Sequence, residues 1–138
     1  MRKRYCASPE ENGEVRTRVV DVFRVLWKWC FLAEGNFMCC GGCAGYDLAI
    51  RATELKDKGI EVKGAVFWHH PDESHFNRTG HLYLAYSSLG TGKYGNIGLP
   101  DVEIGRILEQ ELESAGLAVV WNGTIDERIE VIGIAASR

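Results

Sequence analysis

Val15, Val19, Val22, Leu26, Cys30 and Ala33 recur at three- and four-residue spacing, the period of a helix that turns one face to a core. Phe23, Trp27 and Phe31 widen the stripe, which predicts a helix buried on much of its circumference and ended by Gly35. Cys30 lies on this stripe and is expected in the core. Ser8-Pro9-Glu10-Glu11 has the form of a helix start, with Ser as the cap, Pro at the first position and Glu three residues after the cap. Asn12-Gly13 interrupts it, so the helix is placed from Glu14 and residues 1–13 are a candidate flexible segment, with Cys6 at the surface or frayed.

Asn36 to Cys40 is a short apolar piece that suits a strand or a loop. Leu48, Ala52 and Leu55 predict a second helix from Cys43 or Ala44 to Lys58, closed by Gly59. Val62 to His69 and His81 to Ser87 are rich in β-formers and alternate, as strands do. "FWHHPDESH" between them reads as a polar strand end that runs into an exposed loop, with His69 on the face of Phe67 and His70 on the other. "GTGKYGNIGLPD" is a long glycine loop. Pro100, Asp101 and Glu103 open a third helix with Ile104, Leu108, Leu112 and Ala115 as its stripe and Gly116 as its stop. Leu117 to Trp121 and Arg128 to Ile134 are two more strands, joined by a turn at Asn122-Gly123. The order α-(β)-α-β-β-α-β-β predicts an α+β fold: a mostly antiparallel sheet of four or five strands with about three helices packed on it.

Length and charge narrow the partners. The 138 residues suit a single domain, residues 1–138, with room for a real core. A net charge of −3 weighs against non-specific nucleic-acid binding, and "MRKR" at the start is too short to change that. No apolar run is long enough for a membrane span, and no apolar run follows the basic start as a secretory signal would require. A cytoplasmic setting is expected. The five cysteines are odd in number and three are crowded together, so they read as thiols or ligands and not as a disulfide framework.

The crowded three lie in "NFMCCGGCAGYDLAI", residues 36–50, and carry the candidate chemistry. Cys40 and Cys43 have the C-x-x-C spacing that grips one ion from a tight turn, and Cys39 is within reach; zinc is the metal such thiolates suit. A fourth ligand would come from His69, His70, His75 or His81, with His69 the leading choice. In a second reading Cys40 or Cys43 is a nucleophile at a helix start, activated by the helix dipole, with His69 as base and Asp72 as orienter. In a third, the cysteines are small packing residues at a corner. Gly90, Gly92, Lys93 and Gly95 fit G-x-G-x-x-G between a strand and a helix, a candidate for phosphate binding, although no βαβ unit surrounds it. Trp27, Trp29 and Trp68 are core or rim residues, and a tryptophan beside a half-polar pocket is a natural wall for a flat ligand.

"FMCCGGCA" before a helix, "GAVFWHHPD", "HLYLAYSS" and "AGLAVVWNG" together resemble a family of small uncharacterised bacterial domains. That family shows a Cys-Cys-x-x-Cys segment, an aromatic-His-x-x-Asp strand end and a Leu-Tyr-Leu-Ala-Tyr strand. The resemblance spans Phe37 to Gly123, with Cys39, Cys40, Cys43, His69 and Asp72 at matching positions. His70-Pro71 departs from it, since Glu-Gln is more usual there, as does the extended glycine loop after Ser88. The resemblance implies a location for the site and no chemistry. The sequence thus points to a small binding or regulatory protein whose Cys/His pocket takes a small ligand or a protein partner, with zinc as a candidate cofactor. A cysteine-dependent enzyme and an interaction or inhibitor protein of the immunity or phage-encoded kind are the alternatives.

Overall fold

The stripe of the first helix stops short of where its spacing leads. In the computed structural model, which describes residues 9–135, α1 runs from Pro9 to Lys28 and passes through Asn12-Gly13 without a break. Ser8, the expected cap, and Cys6 lie outside the described residues. Cys30 takes a left-handed backbone (φ 70°) and turns the chain, so Phe31–Glu34 forms strand β1 instead of the last helical turn. Cys30 is consequently exposed, contrary to the expectation of a core position. Periodicity could not reveal this, because Phe31 and Ala33 are apolar in either conformation.

After β1 come α2 (Gly41–Asp57), β2 (Gly64–Phe67), α3 (His70–Thr79) and β3 (Leu82–Ser87). The hairpin β4 (Leu89–Thr91) and β5 (Gly95–Ile97), α4 (Asp101–Ser114), β6 (Leu117–Val120) and β7 (Ile129–Ile134) complete the described chain. The main sheet has five strands in the order β1-β2-β3-β7-β6. It is mixed: β1 and β2 are parallel, with Phe31 opposite Gly64 and Glu34 opposite Phe67, and the other pairs are antiparallel. The parallel pair arises because α2 carries the chain back across the sheet, which two parallel neighbours require. The fold is α+β as expected, with four helices among the described residues instead of about three.

β2 does not alternate. All four of its residues are buried, since both faces of the sheet are covered there. On one face Val66 joins Phe23, Leu26, Leu84, Leu108 and Ile129 in a core beneath α1 and α4. On the other, Ala65 and Phe67 meet Ala44, Leu48 and Ala52 of α2 and Leu89 and Ile97 of the hairpin. β7 has only one covered face, and its burial alternates residue by residue.

α3 replaces the exposed loop expected after His69. Its start was written in the sequence: Pro71 sits in the first turn with Asp72 and Glu73, and Asp72 accepts the backbone N–H of His69 as the third residue of a capping box. The glycine loop is likewise a hairpin, with Gly92 to Tyr94 between its strands. Lys93 there is paired with Asp57 of α2 at 2.7 Å, so Gly90, Gly92, Lys93 and Gly95 close a turn against α2 and do not open a helix.

Candidate functional site

Because β1 and β2 run parallel, both end at one edge of the sheet, and the segments that follow them lie side by side. Two backbone bonds join these segments: Phe37 N–H donates to the Trp68 carbonyl at 2.8 Å, and His70 N–H to the Met38 carbonyl at 2.9 Å. His70 Nδ1 adds a side-chain bond to Asn36 Oδ1 at 2.7 Å. Asn36 and Met38 hold left-handed backbones (φ 50° and 67°), unfavourable for a residue such as Met and kept here by that pairing. The cysteine loop is thus pinned to the strand end that carries His69.

Cys40 caps α2 from an extended backbone, and its Sγ accepts the N–H of Cys43 at 3.4 Å. The helix starts at Gly41, two residues before the expected start, so Cys43 lies inside its first turn. Cys39 Sγ lies 3.6 Å from Cys43 Sγ and 4.0 Å from Cys40 Sγ, and all three sulfurs fall within 4.8 Å of one another. In a tetrahedral site with zinc–sulfur bonds of about 2.3 Å, neighbouring sulfurs stand about 3.8 Å apart. The three thiols are already close to that spacing. All are exposed, so an ion can reach them from solvent.

The thiols differ in acidity. The Cys43 N–H, and then the Cys43 and Cys39 thiols, hold the Cys40 thiol below its ordinary value. Cys43, which faces Cys40 and Cys39 as hydrogen-bond partners and negative neighbours, is pushed up to about 11. The thiolate best stabilised by the helix start is therefore the capping one.

His69 does not join this group. Among the described residues the cluster of possible metal ligands holds Cys39, Cys40 and Cys43 alone. His69 Nδ1 is buried 3.1 Å from Asp72 Oδ2, near enough for an ion pair yet out of line for a hydrogen bond. Asp72 is committed elsewhere: Arg128 Nη1 donates to its Oδ1 at 3.0 Å and Nη2 to its Oδ2, and Arg128 also reaches the Tyr83 carbonyl. The carboxylate ties α3 to the start of β7. His81 pairs with Glu130 at 3.0 Å, and His75 lies against the Tyr83 ring.

Arg128 escaped the sequence reading because nothing local marks it; its partner is 56 residues away. Glu73 also pairs across the fold, with a partner 57 residues away. It accepts from Arg16 at 2.7 Å and from Trp68 Nε1 at 2.9 Å, fixing the indole beside the cysteine loop.

No helix among the described residues is long and apolar enough to cross a membrane. No curated protein and no solved structure matches the chain. A family model matches residues 10–137, nearly the whole length, and carries no assigned activity. The chain belongs to that family, the domain of unknown function DUF6891.

Proposed function

We propose that this protein is a small binding or regulatory protein that holds a thiophilic metal ion, zinc, on Cys39, Cys40 and Cys43. The sulfur spacings of 3.6 and 4.0 Å carry the reading, since they match the edge of a thiolate tetrahedron before any ion arrives. The amides of the first turn of α2 favour the negative charge that three thiolates around one divalent ion leave over. The chain supplies three donors at this surface, and a small ligand or a partner's side chain takes the remaining position. Trp68 and His70, on either side of His69, support the loop through the strand end.

The test is metal content of the purified protein, with thiols counted before and after a chelator. About one zinc per chain, released together with three protected thiols, is the expected result. Cobalt(II) substitution should add intense sulfur-to-metal absorption that weakens in Cys39→Ser and in Cys43→Ser. A metal-free protein that takes up no cobalt, its thiols equally reactive with and without chelator, refutes the reading.

The lowered pKa of Cys40, held down by the Cys43 N–H it accepts at the start of α2, favours a second reading, thiol chemistry with Cys40 and not Cys43 as nucleophile. In that case iodoacetamide modifies Cys40 far faster than the other cysteines near neutral pH, and His69→Ala removes the advantage.

A further inference from the structure

A groove of about 500 Å³ lies where the end of β1 meets α1, apart from the three thiols. Its size is that of sites that hold small organic ligands. One wall is a single helical stripe: Val20, Phe23, Arg24, Trp27 and Lys28 follow one another at three- and four-residue steps and one-residue neighbours along α1. Ala33, Glu34 and Gly35 form the facing side, and Trp68 closes the groove from beyond β2.

The aromatic lining is held in place before any ligand binds. Trp68 packs 5.3 Å from Phe23, centroid to centroid, and its indole N–H is bound by Glu73. A Cβ on Gly35 would fall 2.5 Å from the Trp68 ring, so a bare backbone is what lets the ring lie there. Trp27 is 50 % exposed; Arg51 lies over its ring at 6.0 Å, and the remaining surface of the ring is offered beside this fixed one.

The charges of the lining are unequal. Glu34 is neutralised by Arg51 at 2.8 Å. Among the described residues Arg24 meets only Asp21, at 3.4 Å and with both side chains well exposed. No carboxylate lies within ion-pairing distance of Lys28 among the described residues. A protein of net charge −3 thus presents an excess of positive charge at the rim of an aromatic groove.

We infer that this groove binds a small aromatic anion, its flat ring against Trp27 above Phe23 and its carboxylate or sulfonate between Arg24 and Lys28. Apolar rings bury against the indole while the acid meets the two cations, a division of labour usual in ligand pockets. The inference is independent of metal binding by the thiols.

Two probes that differ in one anionic group test it on the full chain. The fluorescence of 1-anilinonaphthalene-8-sulfonate and of the uncharged N-phenyl-1-naphthylamine is titrated against the protein, with sedimentation on the same samples. The sulfonate is expected to bind one per chain, about tenfold more tightly than the neutral probe, as two screened charge contacts allow. Arg24→Gln with Lys28→Gln should bring the two affinities within about twofold, and Trp27→Ala should weaken both by about tenfold, while circular dichroism shows the fold intact. Equal affinity for the two probes overturns the inference, as does sulfonate binding indifferent to the double substitution. A dimer that Trp27→Ala dissociates, with neither probe bound, also overturns it and makes a second copy the occupant.

Discussion

Asp72→Asn removes one charge and leaves the side-chain shape, so it measures what that carboxylate does. Asp72 is 6 % exposed, caps the start of α3 through the His69 N–H at 3.2 Å and takes two bonds from Arg128. An Asn amide cannot accept from both Arg128 nitrogens and from His69, so at least one donor is left facing another donor. Breaking a fully buried pair costs about 3–5 kcal/mol. Arg128 is 37 % exposed, and water partly replaces the lost charge, so about 3 kcal/mol is expected. A domain of this length should then melt about 10 °C lower. Urea and thermal unfolding followed by circular dichroism read the change. Adding Arg128→Met to Asp72→Asn should restore part of the loss, since removing both partners leaves no stranded charge. A loss under about 1 kcal/mol from Asp72→Asn, or strict additivity with Arg128→Met, would refute the structural role and return Asp72 to the thiol site as an orienter.

Gly35→Ala should cost about 2 kcal/mol in the same unfolding assay, because its Cβ drives into the held Trp68 ring at 2.5 Å; an unchanged midpoint would mean that the ring moves freely. Gly45→Ala, with open space around its Cβ inside α2, should instead stabilise by about 0.5–1 kcal/mol. Glu73 makes stability pH-dependent. Burial raises its carboxyl, but Arg16 and the Trp68 N–H outweigh burial and hold it below its ordinary value. Its contribution is complete above the unfolded value of about 4.3 and is lost as the pH falls through the lower folded one. Stability measured from about pH 5 downward should therefore fall less steeply in Glu73→Gln than in the native chain, and parallel slopes would remove Glu73 as a cause. With Cys6, Cys39, Cys40 and Cys43 changed to Ser, the thiol of Cys30 should react with maleimide without denaturant; protection would put it back in the core.

Elements whose surroundings repeat their own period were legible in the sequence. α4 lays Ile104, Leu108 and Leu112 on one core, and both its acidic opening and its glycine stop are local chemistry. β7 was legible because one covered face makes burial alternate. The family resemblance rested on the same kind of local evidence, the cysteine segment and two aromatic strands. α3 was legible as well, since Pro71, Asp72 and Glu73 form a helix start, but its polar composition after a strand was read as an exposed loop.

Other features were decided only when distant segments met. Phe31–Glu34 suits a helix or a strand by pattern, and pairing with Gly64–Phe67 settled it, which in turn made the sheet mixed. The closeness of three cysteines in sequence did not show whether their sulfurs converge; the Cys40 cap and the left-handed Met38 bring them within 4.8 Å. His69 and Asp72 were linked by their spacing and do lie together, 3.1 Å apart, but only the fold shows that Arg128, 56 residues on, binds the same carboxylate. The groove joins one stripe of α1 to Gly35 and Trp68, which no local pattern links. Periodicity, caps and turns act over a few residues and are written where they act. Pairing register, ion pairs and cavities depend on which surfaces meet across the fold, and only the packed chain sets that.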